Sequence, residues 1–264
     1  MAAFNEISPA NLMRLIGTPA CPPLIDVCID TDFDADPYLI PTAIRHAHTN
    51  LDALSDRILG KAIIICQKGK KLSHGAAAYL RDKGIDAQVL QGGHHAWKEA
   101  GLPRTQAAKI PGQFWVTRHR PKIDRIACPW LIRRFVDPTA RFLFVPALEV
   151  LAVAEKFDAT PFDVHDVDLT HQGTDCTFDV MVREFGLDHP ALAALATIVR
   201  AADTNRHDLV PQAAGLLAIS VGLSRMYRDD TAQLNAGMVI YDALYRWARD
   251  GQNEGHDWPT GGKA

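Results

Sequence analysis

The isoleucine run Ile63–Ile65, followed by Cys66, constrains the fold of this 264-residue chain more than any other stretch. Consecutive β-branched residues are typical of a strand buried on both faces of a parallel sheet. A polar segment at residues 67–71 comes next, and apolar residues then recur with helical spacing from Leu72 to Leu80. The pattern predicts a strand, a short loop and a helix, with Cys66 where the strand meets the loop.

Cys66 is a candidate for thiolate chemistry because it precedes a loop and the N-terminus of a helix. Backbone N–H groups in such a loop can point at the sulfur, and the helix dipole adds positive potential there. Lys68, Lys70 and Lys71 would stabilise an anionic sulfur in the same way. A lone cysteine after an apolar strand is otherwise most often a core residue. Gly69 and the three lysines favour the reactive cysteine over the core one.

Four motifs then appear in order: LIDVCID with Asp26, IPTAIRHAH with Thr42, the Cys66 loop with Gly69, and VLQGGHHAWKEAGLP. Together they resemble the motifs of the rhodanese family. Two positions depart from that pattern. Cys28 stands where many members have arginine, and Gln67 stands where thiosulfate enzymes often have arginine as well. These departures leave the identity of the donor anion open.

The resemblance implies a sulfurtransferase in which Cys66 attacks a sulfane donor such as thiosulfate, holds the sulfur as a persulfide, and passes it to a thiol or cyanide. The loop residues expected to bind the substrate are Gln67, Lys68, Gly69, Lys70 and Lys71. An alternative is a sensor, in which the rhodanese fold is kept as a non-catalytic regulatory module and the C-terminal half binds an oxyanion or a metal. A phosphatase with a Cys-x5-Arg loop is disfavoured, because Leu72 stands where the arginine would be.

Composition narrows the class of protein further. A formal net charge of −3 indicates neither a nucleic-acid binder nor an acidic tail. The expected partners are the small-molecule sulfur donor and thiol acceptor that the resemblance implies. Five scattered cysteines without a Cys-x-x-Cys pair argue for a reducing cytoplasm. The longest apolar run, residues 213–223, is too short to span a bilayer. The N-terminal residues lack a signal-peptide pattern and predict a short helix capped at Ser8 with Pro9 in first position. The oligomeric state stays open.

Two domains are expected from the length and the element pattern. Residues 1–104 predict an α/β domain with a parallel sheet flanked by helices, since the strand patterns LIDV, AIIIC and AQVLQGG alternate with helical ones. The helix Ser73–Lys83 ends at Gly84. Residues 105–112 carry proline and glycine without periodicity and predict a linker. Residues 113–250 form a second domain, and residues 251–264 a flexible tail.

The second domain is predicted to be mainly helical, of the α+β class. Strands at Phe114–Val116 and Phe142–Val145 flank a helix at Asp124–Phe135. Residues 213–227 are apolar on nearly every side and predict a buried central helix. The face of the last helix is marked by Leu234, Met238, Tyr241 and Tyr245.

A dense basic set surrounds the first of these helices. Such a set is usually a solvated surface with acidic partners. It could equally bind an oxyanion, because arginine presents planar paired donors to tetrahedral anions. The candidates for oxyanion binding are Arg118, Arg120 and Arg125.

Histidine, aspartate and cysteine are concentrated in residues 161–180. Imidazole, carboxylate and thiolate together suit a transition metal such as zinc or iron. The predicted ligands are His171, Cys176, Asp179 and, from the end of a later helix, Asp203. The spacing matches no zinc signature. The alternative is a surface loop whose acidic residues contact arginines while Cys176 packs inward.

The second half contains TRHRPKIDRIACPWLIRRFVDP, HQGTDCTFD, IVRAADT and GMVIYDALYRWAR. With these motifs, residues 114–249 resemble the C-terminal domain of the chromate-resistance protein B family. The resemblance implies a role in chromate or oxyanion stress and no particular mechanism. The positions carried over as site residues are Cys128, His171, Cys176, Asp179 and Asp203.

Overall fold

The computed structural model describes residues 5–55, 58 and 60–255. Most of the predicted tail lies outside the described residues. No helix in the described part of the chain is long and apolar enough to cross a membrane.

The N-terminal half is built on a five-stranded parallel sheet with the strand order β1-β6-β5-β2-β4. Its elements in chain order are β1 (Glu6–Ile7), α1 (Pro9–Leu15), β2 (Leu24–Asp26), α2 (Asp30–Asp34), β3 (Tyr38–Leu39), β4 (Ala43–Arg45), α3 (Asp52–Ser55), β5 (Lys61–Ile65), α4 (Lys71–Asp82), β6 (Asp86–Leu90) and α5 (Gly93–Glu99). Strand β5 is central, and Ile63, Ile64 and Ile65 are fully buried in it. The predicted α/β fold is confirmed.

Local sequence signals set the ends of two helices. Helix α1 begins as predicted, because the Ser8 hydroxyl accepts a hydrogen bond from the Asn11 N–H at 3.2 Å and Pro9 is the first helical residue. Helix α4 ends at Asp82, and Gly84 follows with a φ of +85°, a backbone region that favours glycine.

The second half joins a small parallel sheet to a set of helices. Its elements are β7 (Thr105–Gln106), β8 (Phe114–Arg118), α6 (Asp124–Leu131), β9 (Arg141–Val145), α7 (Val150–Phe157), β10 (Thr160–Pro161), α8 (Thr177–Glu184), α9 (Pro190–Asp203), α10 (Gln212–Met226) and α11 (Asp230–Arg246). The sheet has the order β10-β8-β9. The mainly helical class predicted for this half is confirmed.

The predicted helix Asp124–Phe135 is α-helical only to Leu131, and a π-helical turn at Ile132–Val136 completes it. Pro129 lies inside the helix and has no N–H to donate to the preceding turn, which interrupts the regular ladder just before the change. The turn still ends before Asp137 and Pro138, as predicted.

Trp130 of α6 is the centre of the helical core. Its ring centroid lies within 6.4 Å of those of Phe135, Phe178, Tyr241 and Tyr245. The predicted buried face of α11 is confirmed at Tyr241 and Tyr245, which are fully or almost fully buried.

Helix α10 is not the buried central helix that its composition predicts. Ile219, Val221 and Met226 are exposed, and its buried positions include Ser220 and Ser224. The prediction of a buried helix from the apolar residues on every side is therefore wrong, because this helix packs along one narrow face against α9 and α11.

The segment predicted as a linker is structured and joins the two halves. Strand β7 pairs antiparallel with β3, and the Thr105 hydroxyl donates to the Phe185 carbonyl at 2.8 Å. Gly17 packs directly against the rings of Phe135 and Tyr245. One hydrophobic core consequently runs through both halves of the chain.

Candidate functional site

Cys66 lies directly after β5 and before α4, where the strand–loop–helix pattern predicts it. Only 3% of the surface of Cys66 is exposed to solvent. The Sγ atom lies 3.1 Å from the hydroxyl oxygen of Ser73, which is fully buried in the first turns of α4. The nucleophile candidate is thus both held by the fold and in contact with a hydroxyl group.

The loop after Cys66 is fixed against the start of α5 by glycines. Gly69 has a φ of +60°, and a Cβ atom there would come within 2.8 Å of the backbone nitrogens of Gly92 and Gly93. The N–H groups of His94 and His95 donate to the carbonyls of Cys66 and Gln67 at 3.1 and 3.0 Å. Gly69 is therefore required here, because a side chain at this position would prevent the close approach of the two backbones.

The five predicted substrate-binding residues share this loop. The side chains of Lys68, Lys70 and Lys71 are exposed, and in the described part of the chain none of them forms an ion pair. Gln67 is half-buried and lines a small cavity with His94 and His95. Substrate binding by these residues stays a prediction.

A second cluster of side chains beside the loop was not predicted from the sequence. His94 Nε2 lies 3.0 Å from Asp26 Oδ2, and the Cys28 N–H donates to Asp26 Oδ1 at 2.9 Å. Burial favours a neutral Asp26, but hydrogen bonding and the charge of His94 outweigh it, so the pKa of Asp26 is lowered. Burial and Asp26 raise the pKa of the Cys28 thiol. The rhodanese-like motifs contain all three residues, but only folding brings them together.

In the second half, the imidazole of His171 is surrounded by three carboxylates. Its Nε2 atom lies 3.1 Å from Asp203 Oδ2, 3.4 Å from Asp124 Oδ2 and 3.6 Å from Asp163 Oδ1. Hydrogen bonds to Asp124 and Asp203 raise the pKa of His171, whereas burial raises the pKa of Asp124. We call Asp124, Asp163, His171 and Asp203 the His171 cluster.

The N-terminus of α8 supports this cluster. The Thr177 N–H donates to Asp124 at 2.7 Å, and the Thr177 hydroxyl donates to Asp163 at 2.9 Å. The Asp163 carboxylate also forms ion pairs with Arg118 at 3.1 Å and Arg125 at 3.3 Å. Two of the carboxylates are thereby held in place by groups other than His171.

The predicted metal set His171, Cys176, Asp179 and Asp203 does not converge as a whole. His171 and Asp203 meet, but the Cys176 thiol and N–H both donate to Asp179 at 3.1 Å. Asp179 in turn pairs with Arg200. Cys176 is the N-cap residue of α8, so its partner three residues later completes a capping box. The predicted alternative, an inward cysteine with acids contacting arginines, describes Cys176 and Asp179 correctly.

Cys128 also lies outside any such cluster. It is fully buried in α6, and burial raises the pKa of its thiol well above the ordinary value. It is a core residue in this fold. Asp124 and Asp163, which replace Cys176 and Asp179 beside His171, went unnoticed, although Asp163 belongs to the His- and Asp-rich segment.

The predicted oxyanion residues divide into two places. Arg118 and Arg125 meet at Asp163, beside the His171 cluster. Arg120 turns away and donates to the backbone carbonyls of Ser224 and Tyr227. A cavity of about 630 Å³ opens here, and its lining includes Arg118, Asp163 and His171.

These observations define a two-part protein. One part is an α/β half with a parallel sheet and a cysteine loop at the end of its central strand, and the other is a mainly helical half with a histidine–carboxylate cluster. Residues 115–248, just over half of the chain, match the family model of the ChrB C-terminal domain. The chain belongs to the ChrB family.

Protein ChrB of Cupriavidus metallidurans is 34% identical over 162 residues, which are 61% of this chain and 48% of that protein. The chain thus matches about half the length of this curated relative.

Parts of the chain are also similar to solved structures. A rhodanese-related protein from Thermoplasma volcanium has a TM-score of 0.34 at 22% identity and covers 39% of this chain and 99% of its own. A thiosulfate sulfurtransferase from Pseudomonas aeruginosa has a TM-score of 0.32 at 24% identity, covering 38% of this chain and 19% of its own. These similarities do not bear on activity.

Proposed function

We propose that the chain is a sulfurtransferase in which Cys66 carries the transferred sulfur. The observation that carries the proposal is the setting of Cys66, at the end of a central buried strand, 3.1 Å from Ser73 Oγ and before a loop with three exposed lysines. A packed core cysteine has no need of such a loop, whereas a nucleophile that accepts sulfur from an anion does.

The reaction has two balanced steps. In the first, the Cys66 thiolate attacks the outer sulfur of thiosulfate, the S–S bond of the donor breaks, and sulfite leaves with the bonding electrons. In the second, cyanide or a thiolate attacks the outer sulfur of the Cys66 persulfide. The S–S bond between Cys66 and the transferred sulfur then breaks, and the Cys66 thiolate is restored. Lys68, Lys70 and Lys71 attract the anionic donor.

A turnover assay tests this proposal. Thiocyanate formation from thiosulfate and cyanide is measured for the wild type, for Cys66→Ser and for Cys28→Ser. Cys28 is the matched control because it is also a buried thiol beside the loop. The proposal expects turnover in the wild type and in Cys28→Ser and its loss in Cys66→Ser. Turnover that survives Cys66→Ser with every donor would overturn it.

The proposed setting for this activity is chromate or oxyanion stress in the cytoplasm, which rests on the family resemblance. All five cysteines are free, which suits a reducing compartment. The sulfur donor and the thiol acceptor are the partners that the chemistry requires.

A non-catalytic sensor is the second candidate function. It is favoured by the cavity whose lining includes Arg118, because arginine presents planar paired donors to small oxyanions. This function expects chromate or sulfate to raise the melting temperature of the Cys66→Ser variant as much as that of the wild type. It expects Arg118→Gln to remove that shift. Absence of any shift in the wild type would exclude the sensor.

A further inference from the structure

Four side chains from distant parts of the sequence converge in the second half of the chain. Asp124 begins α6, Asp163 and His171 lie between β10 and α8, and Asp203 ends α9. We propose that the His171 cluster binds one divalent first-row transition-metal ion through the imidazole nitrogen and the three carboxylates. This proposal is independent of sulfur transfer at Cys66.

The separations of the donor atoms fit a single ion. Metal–ligand bonds of about 2.1 Å place neighbouring ligands of a tetrahedral ion about 3.4 Å apart. The three carboxylate oxygens lie 3.1, 3.4 and 3.6 Å from His171 Nε2. Donor atoms of Asp124, Asp163 and His171 also all lie within 4.8 Å of one another. Asp203 lies outside this group of three, and a side-chain shift would bring it in as the fourth ligand.

The charges in the cluster also favour a bound cation. The side chains of Asp124 and Asp203 are only 1% and 20% exposed, and within the described residues the one cationic side chain that contacts either of them is His171. Burying carboxylates is costly unless cations compensate them. A divalent ion supplies the charge that one shared imidazole does not.

The supporting bonds are those expected around metal ligands. Thr177 donates to Asp124 from its N–H and to Asp163 from its hydroxyl, and Arg118 and Arg125 hold the second oxygen of Asp163. Such outer partners orient the carboxylates. The oxygens that accept from Thr177, Asp124 Oδ2 and Asp163 Oδ1, are also the ones nearest His171 Nε2, and each has a second lone pair with which it can ligate an ion. Asp124 and Asp163 are therefore already aimed at His171.

Access and ligand chemistry narrow the kind of site. His171 and Asp163 line the cavity of about 630 Å³, so an ion can enter from solvent and keep a coordination position open to a small ligand. One nitrogen and three oxygens suit zinc, iron(II) or manganese(II). The nearby Cys176 thiol is occupied with Asp179, so copper(I), which prefers sulfur, is not the expected ion.

Titration of the chelator-treated full-length protein with Co²⁺, followed by visible absorption, tests the proposal. The wild type should bind one equivalent with d–d bands and without a thiolate charge-transfer band. His171→Ala and Asp203→Asn should each weaken binding by about tenfold or more. Both side chains are partly exposed, so both variants should fold, and circular dichroism checks this.

His165→Ala is the matched control. His165 lines the same cavity but is not one of the four ligands, so this variant should bind Co²⁺ as the wild type does. Three results would overturn the proposal: no saturable binding, equal loss in His165→Ala and His171→Ala, or a thiolate band that disappears in Cys28→Ser. The last would place the ion at Asp26, Cys28 and His94 instead. Cys66→Ser should bind Co²⁺ normally, which separates this site from the sulfurtransferase activity.

Discussion

The Sγ atom of Cys66 lies 3.1 Å from the hydroxyl of Ser73, and that hydroxyl lies 3.1 Å from the Lys70 carbonyl. Ser73 has one hydroxyl hydrogen for these two neighbours. While Cys66 is a thiol, its hydrogen can be donated to Ser73 as Ser73 donates to Lys70. Once Cys66 is ionised, the Ser73 hydrogen can turn to the sulfur. The pair thus offers a donor to the anionic form of the nucleophile.

Ser73→Ala should lower kcat/KM for thiosulfate while the protein still folds. A hydrogen bond to a charged group contributes about 1.5–3 kcal/mol, and each 1.36 kcal/mol is about tenfold in rate. The expected loss is therefore about tenfold to a hundredfold in steady-state kinetics. An unchanged kcat/KM, with the variant folded by circular dichroism, would mean that the Ser73 hydroxyl does not act on the reacting sulfur.

Neutralising the loop lysines should weaken anionic donors selectively. In a triple variant with Lys68, Lys70 and Lys71 all changed to glutamine, KM for thiosulfate should rise. Each exposed lysine contributes only about 0.5–1 kcal/mol, since water screens it. Lys156→Gln, in the other half of the chain, is the matched control because Lys156 is also exposed. Equal KM values for the triple variant and the wild type would remove the lysines from substrate binding.

Gly17→Ala should destabilise the contact between the two halves. A Cβ atom at Gly17 would lie 2.6 Å from Tyr245 Cε1, and Gly17 has a φ of +81°. Overpacking costs about 1–3 kcal/mol beyond the backbone penalty. The free energy of unfolding is measured by urea denaturation.

Gly84→Ala is the control for the backbone penalty alone. Gly84 has a φ of +85° and has no neighbouring atom within 4 Å of an added Cβ among the described residues. The free energy of unfolding of the Gly84→Ala variant should fall by about 1–2 kcal/mol. Equal losses in the Gly17 and Gly84 variants would show that the contact with Phe135 and Tyr245 is not tight.

His189 should make stability fall in mild acid. Its Nδ1 accepts the Ala191 N–H at 3.2 Å as the N-cap of α9, which needs an unprotonated nitrogen. Burial, together with the charge of Arg249, lowers the pKa of His189. The unfolded chain therefore takes up this proton first. The stabilisation is complete above pH of about 6.5 and is lost as pH falls through the lower folded-state pKa.

His189→Asn keeps a side-chain acceptor at this N-cap but cannot titrate. The free energy of unfolding, measured between about pH 7.5 and about pH 5.5, should fall less for this variant than for the wild type. Parallel pH profiles for the two proteins would contradict the assignment.

Local patterns predict the first half of the fold well. The isoleucine run at Ile63–Ile65 favours a buried strand, because β-branched residues are enriched in strands. The cap at Ser8 and the turn at Gly84 depend on neighbours in sequence. Helix α10 shows the limit of this reasoning. Its composition gives no indication of which neighbours cover it, and much of its apolar surface is exposed.

The candidate sites differ for the same reason. Cys66 and its loop are contiguous, so their sequence predicts their arrangement. The His171 cluster depends on Asp124 and Asp163, whose carboxylates look like ordinary surface acids until three helices and a loop bring them to one histidine. Cys176 looks like a metal ligand in sequence because cysteine rarely caps a helix, but in the fold it bonds to Asp179.

The most direct test of sulfur transfer is the intact mass of the protein after incubation with thiosulfate and removal of excess donor. The account predicts one added sulfur atom per chain, located on Cys66 by peptide mapping and released by cyanide. The addition should persist in Cys28→Ser and disappear in Cys66→Ser. A wild-type mass that stays unchanged with thiosulfate and with mercaptopyruvate, or an added sulfur that survives Cys66→Ser, would contradict the persulfide mechanism.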